Sequence, residues 1–310
     1  MFNFSDISKY RGELMGLAIT GVMLSHILNH TAQPYILAQL SRLIHTPGFL
    51  FLSGFGLYYS FQRNDNVIQF WNKRLKRIYI PYLMYSSWLF LILFLFRKCT
   101  LLQLGGYITT LSYWFEGNYY AMWYIPISIL LYFLFPLFYK LINNNLNKLG
   151  GLVVSLAILI AISVVVACLY PSYWERICIG VYNMPIFPIG IFAGYLSNQN
   201  YKVGGILLLS ILIGCTCFFA IGIYPSIARS LFGILISTIL FNYIDKNFKL
   251  DWLMVGVKWL GKYSLELYII HVTLYFFLIE IVQIVDSYSI VIGCVVSIII
   301  CIIKDKLQKK

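Results

Sequence analysis

Apolar runs of about 17 to 22 residues follow one another along almost the whole chain, and each is long enough to cross a hydrocarbon core about 30 Å thick. That recurrence leaves few folds open. Of the 310 residues, 60% are hydrophobic and 11% are charged, against a usual charged share near a quarter. The sequence predicts an all-α, polytopic integral membrane bundle formed by residues 1–310 as a single domain, with no soluble module. The first 15 residues, "MFNFSDISKYRGELM", lack the basic, apolar and small-residue order of a signal peptide, so the first run is expected to stay as a spanning helix.

About ten transmembrane helices are expected, at Gly12–Leu28, Gly48–Phe61, Ile78–Phe96, Ala121–Phe138, Leu152–Leu169, Ile177–Leu196, Val203–Ile223, Ile227–Ile244, Leu265–Val282 and Tyr288–Ile303. An even number puts both termini on one side, and the positive-inside rule makes that side cytoplasmic. Eighteen lysines and arginines then fall inside, and only Arg42, Arg97, Lys98, Arg176 and Arg229 fall outside. The formal net charge of +12 is thus a topology signal rather than a nucleic-acid one. Two long connections are predicted: a basic inner loop, "QRNDNVIQFWNKRLKR", and an outer loop, "RKCTLLQLGGYITTLSYWFEGNYY". The stretch "DKNFKLDWLMVGVKWLGKY" mixes lysines with two tryptophans and is expected to lie along the membrane interface.

Polar groups inside a membrane are costly and are functional candidates by default. His26 lies roughly 20 Å from the inner end of the first run, at 1.5 Å per helical residue. Desolvation favours its neutral form, the state a general base needs. Periodicity alone does not separate that role from a core histidine bonded to a neighbouring helix. His30, four residues on, falls at the outer mouth. His45 opens "HTPGFLFLSGFGLYY", facing either the same outer cavity or the headgroups. Ser53 and Gly54 suit close helix contact at mid-depth.

"NKRLKRIYIPY" puts Arg74 and Arg77 three residues apart on one helical face. They suit bidentate capture of phosphate, or simply anchor a helix end to anionic lipid. Glu266 needs a partner at its depth, with Lys262, Arg74 and Arg77 as candidates, and His271 lies further along the same run. The outer aromatics Tyr113, Trp114, Phe115, Tyr119, Tyr120, Trp123 and Tyr124 are expected mostly to form a headgroup belt. The seven cysteines read as small core residues, with one bridge, Cys99 to Cys178, open on the outer side. No set of metal ligands is visible.

Taken in order, "GLAITGVMLSH", "HTPGFLFLSGF", "NKRLKRIYIPY", "MWYIPISILLYFLFPLF", "PIGIFAGY" and "LGKYSLELYIIH" resemble the membrane acyltransferase 3 family through most of the chain. The resemblance implies an integral O-acyltransferase of the cytoplasmic membrane. It would move an acetyl group from acetyl-coenzyme A to a hydroxyl of a bacterial surface polysaccharide or its lipid-linked precursor. The family's motif histidine falls on His26 as general base, its paired arginines fall on Arg74 and Arg77 as coenzyme-binding groups, and its serine-glycine falls on Ser53 and Gly54.

One position departs from the family: its usual arginine eleven residues before the motif histidine is Met15 here. Arg11 lies one turn earlier and about 40° round the helix, and is the candidate to replace it. Ser53 and Trp123 are candidate oxyanion donors, and His45, Glu266 and His271 are candidate supporting groups. The implied partners are acetyl-coenzyme A, a glycan acceptor and membrane lipids, without metal or nucleic acid. A transporter or flippase for lipid-linked sugars and a non-catalytic family member are the rival readings, and the oligomeric state is not encoded in any feature of the chain.

Overall fold

The computed structural model describes residues 1–29, 35–117, 122–144, 147–222, 224–248 and 250–309, with only the backbone at positions 35 and 36. His30, Tyr119 and Tyr120 lie outside the described residues. The chain opens with a two-residue strand, β1 (Phe2–Asn3), which pairs antiparallel with β2 (Lys202–Val203). Everything else in regular structure is helical.

The helices are α1 (Ser5–Lys9), α2 (Arg11–Asn29), α3 (Tyr35–Ser41), α4 (Thr46–Arg63), α5 (Val67–Leu95), α6 (Leu101–Thr109), α7 (Ser112–Glu116) and α8 (Tyr124–Asn143). There follow α9 (Lys148–Leu169), α10 (Pro171–Val181), α11 (Ile186–Asn198), α12 (Gly205–Ile221), α13 (Pro225–Asn247), α14 (Asp251–Lys262), α15 (Ser264–Phe277) and α16 (Asp286–Gln308). All ten expected runs are helical. Among the described residues seven helical segments are long and apolar enough to cross a membrane. The other three runs are α2 and α4, which carry charged or interior-facing polar groups, and α12, which has 17 residues.

Three boundaries correct the sequence reading. The supposed basic loop is mostly helix: Asn66 caps α5 by accepting from the Gln69 amide, and α5 then runs for 29 residues, about 43 Å at 1.5 Å per residue. That exceeds the hydrocarbon core by about 13 Å, so its first turns, with Lys73, Arg74, Lys76 and Arg77, project beyond it. The sixth run breaks into α10 and α11 at Tyr182–Pro185, because Pro185 cannot continue the hydrogen-bond ladder of α10. The outer connection is not a plain loop. It holds α6, opened by a capping box between Thr100 and Gln103, and α7.

The outside of the bundle is oily. Helix α12 has no buried residue, and α9 buries only one stripe, built on Gly151, Ser155, Leu159 and Ser163 at four-residue spacing. Its other face exposes Val153, Ile158, Ile162 and Val165. Apolar surface on this scale belongs against lipid, so the molecule is a multi-pass membrane protein.

Inside, glycines set the closest approaches. Helix α11 lies on α4 with Gly190 against the Phe51 carbonyl and Gly194 against Phe55 and Tyr58, while Gly54 meets the Phe187 carbonyl. A side chain at any of these would collide with the facing helix. Gly54 is therefore a packing residue, as its sequence context indicates, while Ser53 beside it faces elsewhere. Helix α14 docks on α2 in the same manner, through Gly16 on the Val257 carbonyl and Gly261 on the Gly12 carbonyl. Trp252 and Val255 of α14 remain 73% and 66% exposed, an apolar face free for the membrane interface.

Most ion pairs among the described residues gather at one end of the bundle, Lys98 with Glu280 lying elsewhere. Lys262 pairs with Asp305 at 2.7 Å, and this hydrogen bond pushes the ammonium up to about 12. Lys309 holds the other oxygen of Asp305 at 2.7 Å. Lys258 approaches Glu13 at 4.0 Å, and Lys9 holds Asp245 at 2.6 Å. The start of α2 and the finish of α16 thus share this end, called the basic end below. All seven cysteines are free, so Cys99 and Cys178 form no bridge.

Candidate active site

Helices α2, α4, α5, α8 and α15 enclose a cavity of about 210 Å³ that opens toward the basic end. Arg11, Arg74 and Arg77 line it together with Ser53, Tyr124, Tyr132, Ser264 and Tyr268. A second space of about 510 Å³, with Arg63 and Lys73 on its wall, shares Gly56, Arg74 and Arg77 with the first. The two make a basic vestibule leading into a narrower, tyrosine-rich chamber.

Three guanidiniums meet here because α2 starts at this point and α5 passes it. Arg11 begins α2 and reaches across to α4, where its Nε donates to the Leu52 carbonyl at 3.1 Å. Gly56 makes room, since a Cβ at that position would touch the Arg11 guanidinium. Arg74 and Arg77 project from one face of α5. Arg74 donates to the Ser60 hydroxyl and lies over the Phe70 ring at 5.9 Å, while its Nε is buried with no partner among the described residues. Met15 also lines the chamber and accepts a long hydrogen bond from Ser264 at 3.8 Å. Arg11, one turn before Met15 on α2, places its guanidinium on the wall of the same cavity.

Glu266 does not belong to this cavity. None of the three expected partners pairs with it; Lys304 of α16 does, at 2.8 Å. The reason is geometric. Helix α15 turns its Ser264, Leu265 and Tyr268 side toward the chamber and its Glu266 toward α16.

Beyond the chamber the three described histidines come together. The Tyr268 ring lies 6.0 Å from that of His271, and His271 meets His26 edge to face at 5.5 Å. His271 is fully buried. Its Nδ1 lies 2.7 Å from the Leu267 carbonyl and so donates to it, which leaves Nε2 as an acceptor, buried and without a partner among the described residues. Next to His26 in sequence, Ser25 bonds His45 Nε2 at 2.9 Å. His45 in turn lines a cavity of about 640 Å³ at the opposite end of the bundle, with Arg42, Trp123, Trp174, Asn183, Ser226 and Arg229 among its walls. His26, His271 and His45 therefore occupy the partition between a basic cavity and a far cavity.

Several expected belt aromatics face inward. Tyr113 is buried because its hydroxyl donates to the Ile177 carbonyl at 2.6 Å, Trp123 lines the far cavity, and Tyr124 lines the chamber. Phe115 is 72% exposed and fits the belt. The sequence reading missed Tyr132 and Tyr268 on the chamber and Trp174, Asn183 and Ser226 on the far cavity. Tyr268 carried a signal, lying one turn before His271; Asn183 carried another, as a lone amide in an apolar run.

No curated protein and no solved structure matches the chain. A family model described as an acyltransferase domain matches residues 14–305, a span that begins just after Arg11 and takes in both cavities and the histidine partition. The protein belongs to the membrane acyltransferase 3 family.

Proposed function

We propose that this acyltransferase is an O-acetyltransferase that takes its acyl group from acetyl-coenzyme A at the basic end, facing the cytoplasm, and passes it to a glycan hydroxyl in the far cavity. One observation carries the reading: a histidine cluster stands between a cavity suited to phosphates and a cavity walled by tryptophans. Arg74 and Arg77, with Arg11 beside them, offer forked donors to the coenzyme phosphates. The pantetheine arm extends through the chamber past Ser53 and Tyr268 and brings the thioester to the partition.

His26 takes the proton of the acceptor hydroxyl as its oxygen bonds to the thioester carbonyl carbon. Collapse of the tetrahedral intermediate breaks the carbon–sulfur bond, and the departing thiolate recovers the proton from the imidazolium, so His26 ends neutral. The developing oxyanion requires donors within hydrogen-bond reach; Ser53 and Tyr124 offer hydroxyls from the chamber side, and Trp123 an indole N–H from the far side. His271, tied to its own helix through Nδ1, holds the His26 ring in place by packing against it edge to face.

The test is acyl transfer in membranes, from radiolabelled acetyl-coenzyme A into the glycan fraction, with wild type and His26→Ala at matched protein levels. Loss of a general base lowers the rate by about 10²–10⁴-fold, so label is expected with the wild type and not with the variant. Equal label in both removes His26 from the mechanism. No label in either removes acetyl-coenzyme A as donor.

A further inference from the structure

We propose that His45 is a positioning residue for His26: held as the tautomer with its hydrogen on Nε2, it fixes the turn of α2 that bears the base. The link to acyl transfer rests on the function proposed above; the tautomer and the contact with α2 do not.

The tautomer follows from counting hydrogens. A serine hydroxyl has one to give, and that of Ser25 goes to the Val22 carbonyl at 2.8 Å. Ser25 is therefore the acceptor in its 2.9 Å bond with His45 Nε2, and that nitrogen carries the hydrogen. In a neutral ring Nδ1 is then an acceptor, and the Thr46 hydroxyl, 3.2 Å away, donates to it. Ser25 and Thr46 are 2% and 3% exposed, so little water competes for these bonds. The result is a one-way chain from Thr46 through His45 and Ser25 to Val22. His271 is the opposite tautomer, with its hydrogen on Nδ1.

The chain ends where it bears on the base. In an α-helix each amide donates to the carbonyl four residues earlier, so within α2 the Val22 carbonyl also receives the His26 amide. A serine bonded back onto its own helix tends to bend it, and His45 sets that bend from outside. Gly21, one turn before Ser25 on the same face, carries the rest of the contact: a Cβ there would collide with the Ser41 and Ile44 carbonyls. The segment joining α3 to α4 is thus pressed along α2 at Gly21 and bonded to it at Ser25, while His271 packs on the His26 ring from α15.

His45 forgoes a local bond to reach Ser25. It is the N-cap of α4, where serine, threonine, asparagine or aspartate would accept from the first amides, and its side chain makes no such bond. Capping does not select histidine here; the reach to α2 does. His45 also lines the far cavity, so an acceptor held there lies against the residue that aligns its base.

The first test is NMR of the purified full chain in detergent with isotope-labelled histidine. The chain has four histidines, few enough to assign by single substitution. His45 is expected to show a hydrogen on Nε2 and none on Nδ1, and His271 the reverse. A hydrogen on His45 Nδ1 overturns the proposal in the wild type, before any variant is made.

Variants then read the consequence. His45→Asn has no donor at the reach of Nε2, whereas the amide of His45→Gln has one. In acyl transfer from radiolabelled acetyl-coenzyme A into the glycan fraction of membranes, His45→Asn and Ser25→Ala are each expected to lower kcat about tenfold, the size of one buried hydrogen bond, with KM for acetyl-coenzyme A unchanged. His45→Gln is expected to restore most of the rate, and the two lesions combined to cost no more than either alone. Equal losses in His45→Asn and His45→Gln, or additive losses in the combined variant, overturn positioning through Ser25. Should wild type transfer no label, the donor reading fails and NMR still decides: Ser25→Ala, which leaves every ring in place, is expected to move the His26 ring signals, and unmoved signals overturn the proposal.

Discussion

Arg74 and Arg77 show how much a single residue's role depends on what other helices bring to it. Their spacing on α5 was plain in the sequence, and both phosphate capture and lipid anchoring fitted it. The structure adds Arg11 from α2 and a shared cavity wall, and repelling cations are gathered only at a cost unless an anion joins them. Replacing both arginines of α5 by lysine keeps the charge but removes the planar fork. Acetyl-coenzyme A affinity, measured by calorimetry, is expected to fall about tenfold, the loss of one or two charge-assisted bonds; unchanged affinity returns the pair to lipid anchoring. The histidines teach the same lesson from the other side. His26 was conspicuous in its apolar run, yet the ring that packs against it belongs to α15, far along the chain, and no local pattern reports a contact between distant helices.

At the scale of elements, apolar run length located the helices well because a membrane imposes it, but it misjudged where polar sequence continues a helix. The first turns of α5 are basic and still helical, since Asn66 supplies a cap and no proline interrupts before Pro81. Glycines in "RGELMG" and "MVGVKWLG" were equally visible, but which of them bear contacts was not, because that is decided by the facing backbone. Gly16→Val would drive a side chain into the Val257 carbonyl. It is expected to destabilise the α2–α14 contact by about 1–3 kcal/mol or more, seen as a lowered melting temperature in detergent and weakened coenzyme binding through displaced Arg11. Gly256 has open space around its Cβ position, so Gly256→Ala is expected to leave the melting temperature unchanged or raise it, by up to about 1 kcal/mol of helix propensity. Equal losses from the two substitutions would contradict glycine-mediated docking of α14.

The whole molecule is a partition with unlike cavities on its two faces, and its chemistry depends on which face meets the cytoplasm. On the proposed function a thioester donor made inside the cell arrives at the basic end, which would put Lys73, beside Arg74, inside and the far cavity outside. Charge asymmetry supports that orientation, and the free thiol of Cys178 on the far-cavity wall gives a direct probe of it. In a chain keeping Cys178 as its one cysteine, a membrane-impermeant maleimide is expected to label intact cells. In a cysteine-free chain carrying Lys73→Cys, label is expected only after the cells are permeabilised. The reverse pattern would turn the bundle over and expose the basic vestibule to a compartment without coenzyme A, in which case the arginines would have to serve another anion. Labelling of both sites from outside would mean that the two cavities join through the histidines, and a bundle that lets a maleimide pass His26 works as a pathway rather than a barrier. The expected asymmetry is what the proposed transfer requires, because water reaching the partition from both faces would hydrolyse a thioester held there before a sugar hydroxyl could take its acyl group.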